Sequence, residues 1–329
     1  MALPFARRDL EAKLSKLYSV AGIPTLILLD GKGEVMSKEG VRTVLSDPRG
    51  HDFPYTRLTL SEAIGDKLIK GDAEITTESV ASRPVGLYFS AHWCPPCKRF
   101  TPKLAAAYKK LQSEGTEMEI IFVSSDKTQA QFDEYRAEMP WVAMPYANRK
   151  GKASLADQFE VSGIPRLVIL ESLESGRIIN PNAAAAVMAD VSVENFPWHP
   201  PTLNDFNQDP SKINEVTAVV AMLHGLDQAA ADAAVEAVRT VSEKKYAEAR
   251  AAGKVHPDVR YYFSRSDAGP SAQIRSLSKT AGPKLLIVDI PQEGAFYEQD
   301  IADGVLTVEA IEAMLAGYET AALVRKQLG

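Results

Sequence analysis

Residues 84–98 read PVGLYFSAHWCPPCK, an apolar run that gives way to two cysteines three residues apart. Pro84 to Ala91 has the length and continuity of a buried strand. From Cys97 to Leu111 the apolar residues Phe100, Leu104, Ala107, Tyr108 and Leu111 recur at helical spacing, and Pro102 is expected to kink that helix. Cys94 and Cys97 therefore sit where a strand ends and a helix begins. At such a spacing the two sulfurs share one face and come within disulfide reach. The first helical turn has N–H groups without intrahelical partners and is partly positive, so it stabilises a thiolate. Lys98, Arg99 and Lys103 add positive charge. The expectation is an exposed nucleophile at Cys94 and a buried resolving thiol at Cys97. Pro95 and Pro96 suit the first helical positions, and they withdraw two donors from the Cys94 sulfur. The competing readings are a half zinc site and two inert core thiols. A strand-to-helix setting with Trp93 beside it favours redox chemistry over both.

Composition narrows the field around this motif. At 329 residues the chain has room for two or three domains. It is 45% hydrophobic and 24% charged, which is ordinary for globular proteins. A net charge of −6 argues against a nucleic-acid partner. Two cysteines exclude a disulfide-rich scaffold, and a structural zinc site needs about four ligands. No apolar run approaches membrane-spanning length, so no membrane partner is expected. Met1 to Leu17 is too charged for a secretory signal, and the C-terminus carries no retention sequence. The expected location is the cytosol, with the nucleus as a second compartment.

An internal repeat organises the chain. Residues 18–30 read YSVAGIPTLILLD and residues 159–171 read FEVSGIPRLVILE, an offset of 141. Residues 44–55 echo 187–198 at an offset of 143 through Val44/Val187, Asp47/Asp190, Phe53/Phe196 and Pro54/Pro197. Residues 1–57 thus read as the back half of a unit whose complete copy spans 58–200. Within that copy, Met118–Ser125 and Arg166–Glu171 read as strands. Asp126–Glu138 reads as a helix capped by Asp126 or Thr128. Phe196 to Pro210 reads as a linker. In 201–329, Val216–Leu223, Val259–Phe263 and Lys284–Ile290 read as strands. Asp227–Ala252 and Thr307–Leu328 read as helices. Alternating strands and helices imply an α/β fold with parallel crossovers. Ile23-Pro24 and Ile164-Pro165 each precede a strand, as does Gly282-Pro283, and this recurrence predicts cis bonds at all three.

The stretch FSAHWCPPCKRFTPKLAAAYKKL, with VSGIP downstream, resembles the thioredoxin superfamily. Its Trp-Cys-Pro-Pro-Cys form is similar to tryparedoxins and nucleoredoxins. A CPPC unit followed by a Cys-free unit resembles the nucleoredoxin family in particular, with MPWVAMPY (139–146) adding to the likeness. The resemblance implies tandem thioredoxin-like folds, each a central mixed sheet flanked by helices, one partial (1–57) and two complete (58–200 and 201–329). It implies a protein-disulfide reductase in which Cys94 attacks and Cys97 resolves. Trp93, Pro95 and Pro96 flank the site, and Ile164 with cis-Pro165 faces it and supports the substrate chain. No cofactor is expected to be bound. Electrons come from an external thiol or an NAD(P)H-dependent reductase, and the partners are disulfide-containing proteins.

Two departures accompany this likeness. The position where ordinary thioredoxins carry an acidic residue is Tyr88, read as a core residue, which leaves the general acid/base unassigned. The first unit of a nucleoredoxin is complete, whereas this chain starts in its middle. His92 is expected at the solvent-facing rim, and Trp141 and Trp198 over sheet edges. A second functional reading is a redox-gated binding scaffold that uses 201–329 to hold a regulatory partner. Segment 1–57, with a strand at Thr25–Leu29, is expected to dock loosely.

Overall fold

The computed structural model describes residues 3–20, 22–38, 40–50, 53, 55, 58–190 and 192–329, without the side chains of 42 and 46. The chain separates into two compact units, Met1–His199 and Pro200–Gly329.

The first unit opens with helix α1 (Arg8–Leu17), strands β1 (Leu28–Leu29) and β2 (Val35–Ser37), and helix α2 (Gly40–Ser46). β1 and β2 form a separate antiparallel ribbon. Helix α3 (Leu60–Ile64) follows, started by a capping box in which Thr59 and Glu62 satisfy each other's backbone N–H groups. The rest builds a seven-stranded mixed sheet. In chain order come β3 (Lys67–Lys70), β4 (Ala73–Thr76), β5 (Val85–Ser90), helix α4 (Pro95–Ser113), β6 (Glu119–Ser124) and helix α5 (Gln129–Arg136). They are followed by β7 (Val142–Ala143), helix α6 (Arg149–Gln158), β8 (Arg166–Leu170), β9 (Ile178–Asn180) and helix α7 (Ala184–Ala189). The strand order is β4-β3-β7-β6-β5-β8-β9.

β5 lies between parallel β6 and antiparallel β8. Every residue of β5 and β6 is buried, as a strand covered on both faces requires. Successive side chains point to opposite faces. Tyr88 packs with Phe100, Leu104 and Tyr108 of α4, while Leu87 and Phe89 pack with Ile64 and Leu155 on the other face. α4 buries the apolar stripe expected from its spacing and runs as one helix through Pro102.

α5 begins at Gln129, with Thr128 as its cap. Asp126 is instead buried, because its carboxylate has partners inside the fold. Both tryptophans expected at sheet edges are core residues. Trp141 meets Tyr88 and Tyr108 edge-on, and Trp198 is fully covered. The expected linker 196–210 is also ordered. The Trp198 indole donates to Asp190 Oδ2 at 3.0 Å, Asn180 donates to the Trp198 carbonyl, and Phe206 is buried. Its Pro and Asn residues shape turns while its aromatic rings hold it to the cores.

The repeat extends to backbone detail. α1 and α6 match over their whole lengths at offset 141, and β2 and β9 do so at offset 143. Both Ile23-Pro24 and Ile164-Pro165 are cis. Ser19 and Glu160 take left-handed φ angles of 54° and 49°, and Tyr55 and Trp198 both have φ 55°. The Gly40 amide donates to the Leu26 carbonyl as the Ala183 amide donates to that of Leu167. The copies differ in partnership. β8 is paired on both edges and runs five residues, whereas β1, among the described residues, pairs only with β2 and is assigned two residues rather than the Thr25–Leu29 expected.

The second unit holds β10 (Asn204–Asp205), β11 (Thr217–Met222), helix α8 (Gln228–Ala251), β12 (Val259–Ser264), helix α9 (Gly269–Ser278), β13 (Lys284–Asp289), β14 (Ala295–Asp300), helix α10 (Val308–Glu319) and β15 (Lys326–Gln327). Its sheet order is β10-β12-β11-β13-β14-β15. β11 lies between a parallel and an antiparallel neighbour, as β5 does. Two expectations are corrected here. The terminal helix stops at Glu319: Ala321 turns the chain with φ 53°, and the last residues pair along β14. Gly282-Pro283 is trans, and Gly282 at φ 70° makes the turn into β13.

Candidate active site

Cys94 is the N-cap of α4, and Pro95 and Pro96 occupy its first turn. Neither proline has an N–H, so the first available donor is the amide of Cys97, which points at the Cys94 sulfur from 3.3 Å. The two cysteines are joined as a disulfide with Cα atoms 5.2 Å apart. The Cys94 sulfur lies 3.8 Å from the carbonyl oxygen of Ile164, whose bond to Pro165 is cis. Ala91, Cys94 and Cys97 form a small buried cluster with Ile164 against it. Cys94, Cys97 and Ile164 are thus in contact, and Pro95 and Pro96 are exposed beside them. Cys97 is fully buried. Cys94 is only 4% exposed, so the open nucleophile expected from sequence is, in the disulfide form, a nearly covered atom.

The loop after β6 holds the segment before Cys94. Ser90 at the end of β5 pairs with Ser124 at the end of β6, so the loops that follow start level with each other. The His92 amide donates to Asp126 Oδ1 at 2.7 Å, and the Ser124 hydroxyl donates to Asp126 Oδ2 at 2.8 Å. The Trp93 indole N–H donates to the Ser125 carbonyl at 3.1 Å and leaves half of the residue exposed. Lys127 Nζ stands 5.6 Å from the Trp93 ring centre. His92 is not the solvent-facing residue expected. Its side chain is 19% exposed, tilted against Tyr135 and 3.7 Å from Glu134. Asp126 and Ser125 lie outside the CPPC motif, and their only signal in sequence is position at the C-terminal end of a parallel strand, where α/β folds place ligands and substrates.

Beneath the disulfide lies a cluster of hydroxyls. Thr101 donates to the Cys97 carbonyl at 3.1 Å, and its oxygen lies 2.8 Å from the Tyr88 hydroxyl. Ser90 donates to Tyr88, and Tyr135 closes the group. Burial pushes the Tyr88 phenol well above its ordinary range. Tyr88 is therefore a neutral core hydroxyl. At the start of α6, burial lowers the Arg149 guanidinium, opposed by Tyr146 and Asp126. It donates to the carbonyls of Tyr146 and Ser124.

A thioredoxin-like family profile matches residues 82–178. Mouse nucleoredoxin is 32% identical over 306 residues, covering 92% of this chain and 70% of the relative. Tryparedoxin of Trypanosoma brucei brucei is 37% identical over 131 residues, covering 40% of this chain and 90% of the relative. Among solved structures, native tryparedoxin I from Crithidia fasciculata is 36% identical, with 43% of this chain and 98% of that chain covered and a TM-score of 0.41.

Proposed function

The chain belongs to the nucleoredoxin family of thiol–disulfide oxidoreductases, and from that premise we propose that it reduces protein disulfides through the Cys94/Cys97 pair. One observation carries the assignment: the Cys94 sulfur caps α4, accepts the Cys97 amide and abuts the carbonyl before a cis-proline. In the reduced form the helix N-terminus favours the Cys94 thiolate. That thiolate attacks one sulfur of a substrate disulfide, forming a mixed disulfide and releasing the other sulfur as thiolate. Cys97, deprotonated, then attacks Cys94, releasing the second substrate thiol and leaving the intramolecular disulfide. Two electrons have passed to the substrate. An external dithiol or an NAD(P)H-dependent reductase returns them, and no bound cofactor takes part. Trp93, Pro95 and Pro96 form the rim, and Ile164 and Pro165 offer backbone to an extended substrate segment.

In this reading 58–200 is the catalytic unit, 1–57 a partial copy and 201–329 a Cys-free unit, working in the reducing cytosol and the nucleus. Partner binding through 201–329 is a separate proposal, tested by pull-down with and without Cys94→Ser. The deciding experiment is insulin-disulfide reduction driven by dithiothreitol. Cys94→Ser is expected to abolish the stimulated rate, and Cys97→Ser to trap substrates as mixed disulfides on Cys94. A Cys94→Ser protein as active as the parent overturns the assignment.

A further inference from the structure

Helix α4 starts with the charge that its own dipole opposes. Its first turn holds no acidic residue and ends on Lys98, whereas α1, α3 and α10 place Asp9 and Glu11, Glu62, and Glu309 in theirs. A helix N-terminus is partly positive, so a cation there is repelled. Arg99 and Lys103, four residues apart, add a like-charge pair of the kind that weakens a helix. Pro95 to Ser113 carries five basic residues and no acidic one, in a chain where Asp and Glu outnumber Lys and Arg by 43 to 37. Nothing within the fold compensates. Lys98, Arg99 and Lys103 are exposed and, among the described residues, form no ion pair, while Lys110 at the far end of α4 pairs with Glu114. On the loop after β6, exposed Lys127 stands 5.6 Å from the Trp93 ring centre and likewise forms no ion pair among the described residues. The Glu134 carboxylate also reaches this end of the sheet, but it faces His92 from 3.7 Å. Stabilising the Cys94 thiolate accounts for only part of this charge. Lys103 lies nine residues beyond Cys94, about 13 Å along the helix at ~1.5 Å per residue, and the Debye length at physiological salt is about 8 Å. A docked protein reaches further: an interface of about 800 Å² per partner is a disc of about 16 Å radius.

We propose that Lys98, Arg99, Lys103 and Lys127 form the docking surface for an acidic protein partner, one that presents its disulfide among Asp and Glu side chains. This rests on the reductase reading above and names the substrate class of that same site. Such a surface steers the encounter and turns away basic partners. Four separate cations beside a disulfide, in a chain of net charge −6, suit a few carboxylates better than a phosphate polyanion.

Stopped-flow reduction of two synthetic peptides by the pre-reduced full chain tests this. Both peptides carry the same disulfide loop, flanked in one by Glu and in the other by Lys. At low ionic strength the Glu-flanked peptide is expected to react about tenfold faster. Salt at 1 M, where the Debye length is about 3 Å, should remove the difference. The readout is the ratio of the two rates, so a general loss of activity cancels. Lys98→Glu, Arg99→Glu and Lys103→Glu together should invert the ratio, and Lys103→Glu alone should lower it. Because acidic residues suit a helix start, the triple variant should unfold at no lower temperature than the parent. Hydroxyethyl disulfide, which is uncharged, separates this proposal from the reading beneath it. A parent that reduces neither it nor the peptides refutes the reductase and the surface with it. A parent that reduces it but takes both peptides at equal rates overturns the surface alone, as does a preference that survives in the triple variant. Retention on single-stranded DNA at physiological salt, with equal peptide rates, also overturns it and assigns the face to phosphate.

Discussion

The buried carboxylate of Asp126 accepts the amide of His92 at 2.7 Å across 34 residues of sequence. This bond fixes the turn that delivers Trp93 and Cys94 to the start of α4. Asp126→Ala strands the His92 amide and the Ser124 hydroxyl, and should cost about 1–3 kcal/mol of stability. Activity should fall more than with Asp126→Asn, whose amide oxygen can still accept. Urea unfolding and insulin reduction on the two variants check this; equal activity in both would count against a positioning role.

The hydroxyl cluster under Cys97 contains no charged member. Tyr88→Phe removes one of the partners of Ser90 and of Thr101 while leaving each its contact with Tyr135, and should therefore destabilise the chain by about 1 kcal/mol. The pH–rate profile of disulfide reduction should keep its midpoint. A displaced midpoint would make the Tyr88 hydroxyl part of a proton relay rather than of the core.

Trp198 is bonded to Asp190 and Asn180 and belongs to the core cluster that contains Tyr88 and Trp141. Burial alone would raise Asp190, but hydrogen bonds from Asn195, Trp198 and Ser192 hold its carboxyl below the ordinary range. Its folded pKa is depressed, so its contribution is present above the unfolded carboxylate range and is lost as pH falls through the lower folded value. Trp198→Ala should cost about 3–5 kcal/mol. Thermal unfolding between neutral and acid pH should show a weaker acid dependence in Asp190→Asn than in the parent.

In the second unit, burial, with Arg260 and Lys212 nearby, pushes the His256 imidazole down from 6.5 to about 4. Nδ1 of that ring has no hydrogen-bond partner, and the ring meets Tyr246 edge-on. Between about pH 6.5 and 4 the unfolded chain takes up a proton that the folded unit refuses. The penalty is absent above 6.5 and grows as pH falls through that window, by about 1–2 kcal/mol after allowing for the partial exposure of the ring. His256→Phe keeps the aromatic contact and should flatten stability across the window. An unchanged slope in urea titrations at pH 7 and pH 4.5 would refute the assignment.

Local signals made the centre of this fold legible. The apolar run before Cys94, the helical stripe after Cys97 and the paired Ile-Pro steps each depend on neighbours in sequence, and each occupies the expected place. What escaped depends on distance. Asp126 reads as a helix cap because its true partner, His92, becomes adjacent only once Ser90 and Ser124 pair in parallel. Trp198 reads as linker because its burial depends on Asp190 and Asn180. Gly282-Pro283 reads like the two Ile-Pro steps, but a glycine free to take φ 70° makes the turn without a cis bond. The β3–β4 hairpin, α6 and α9 were not separated from their surroundings by the apolar pattern alone.

In the proposed reaction, the burial of Cys97 would set the order in which donor and substrate arrive. With that sulfur fully enclosed and Cys94 only 4% exposed, a donor thiol and a substrate disulfide would, under that proposal, share one narrow approach to the same atom. Reductant and substrate cannot be seated together. Turnover should alternate strictly between them, and an excess of either should slow the arrival of the other.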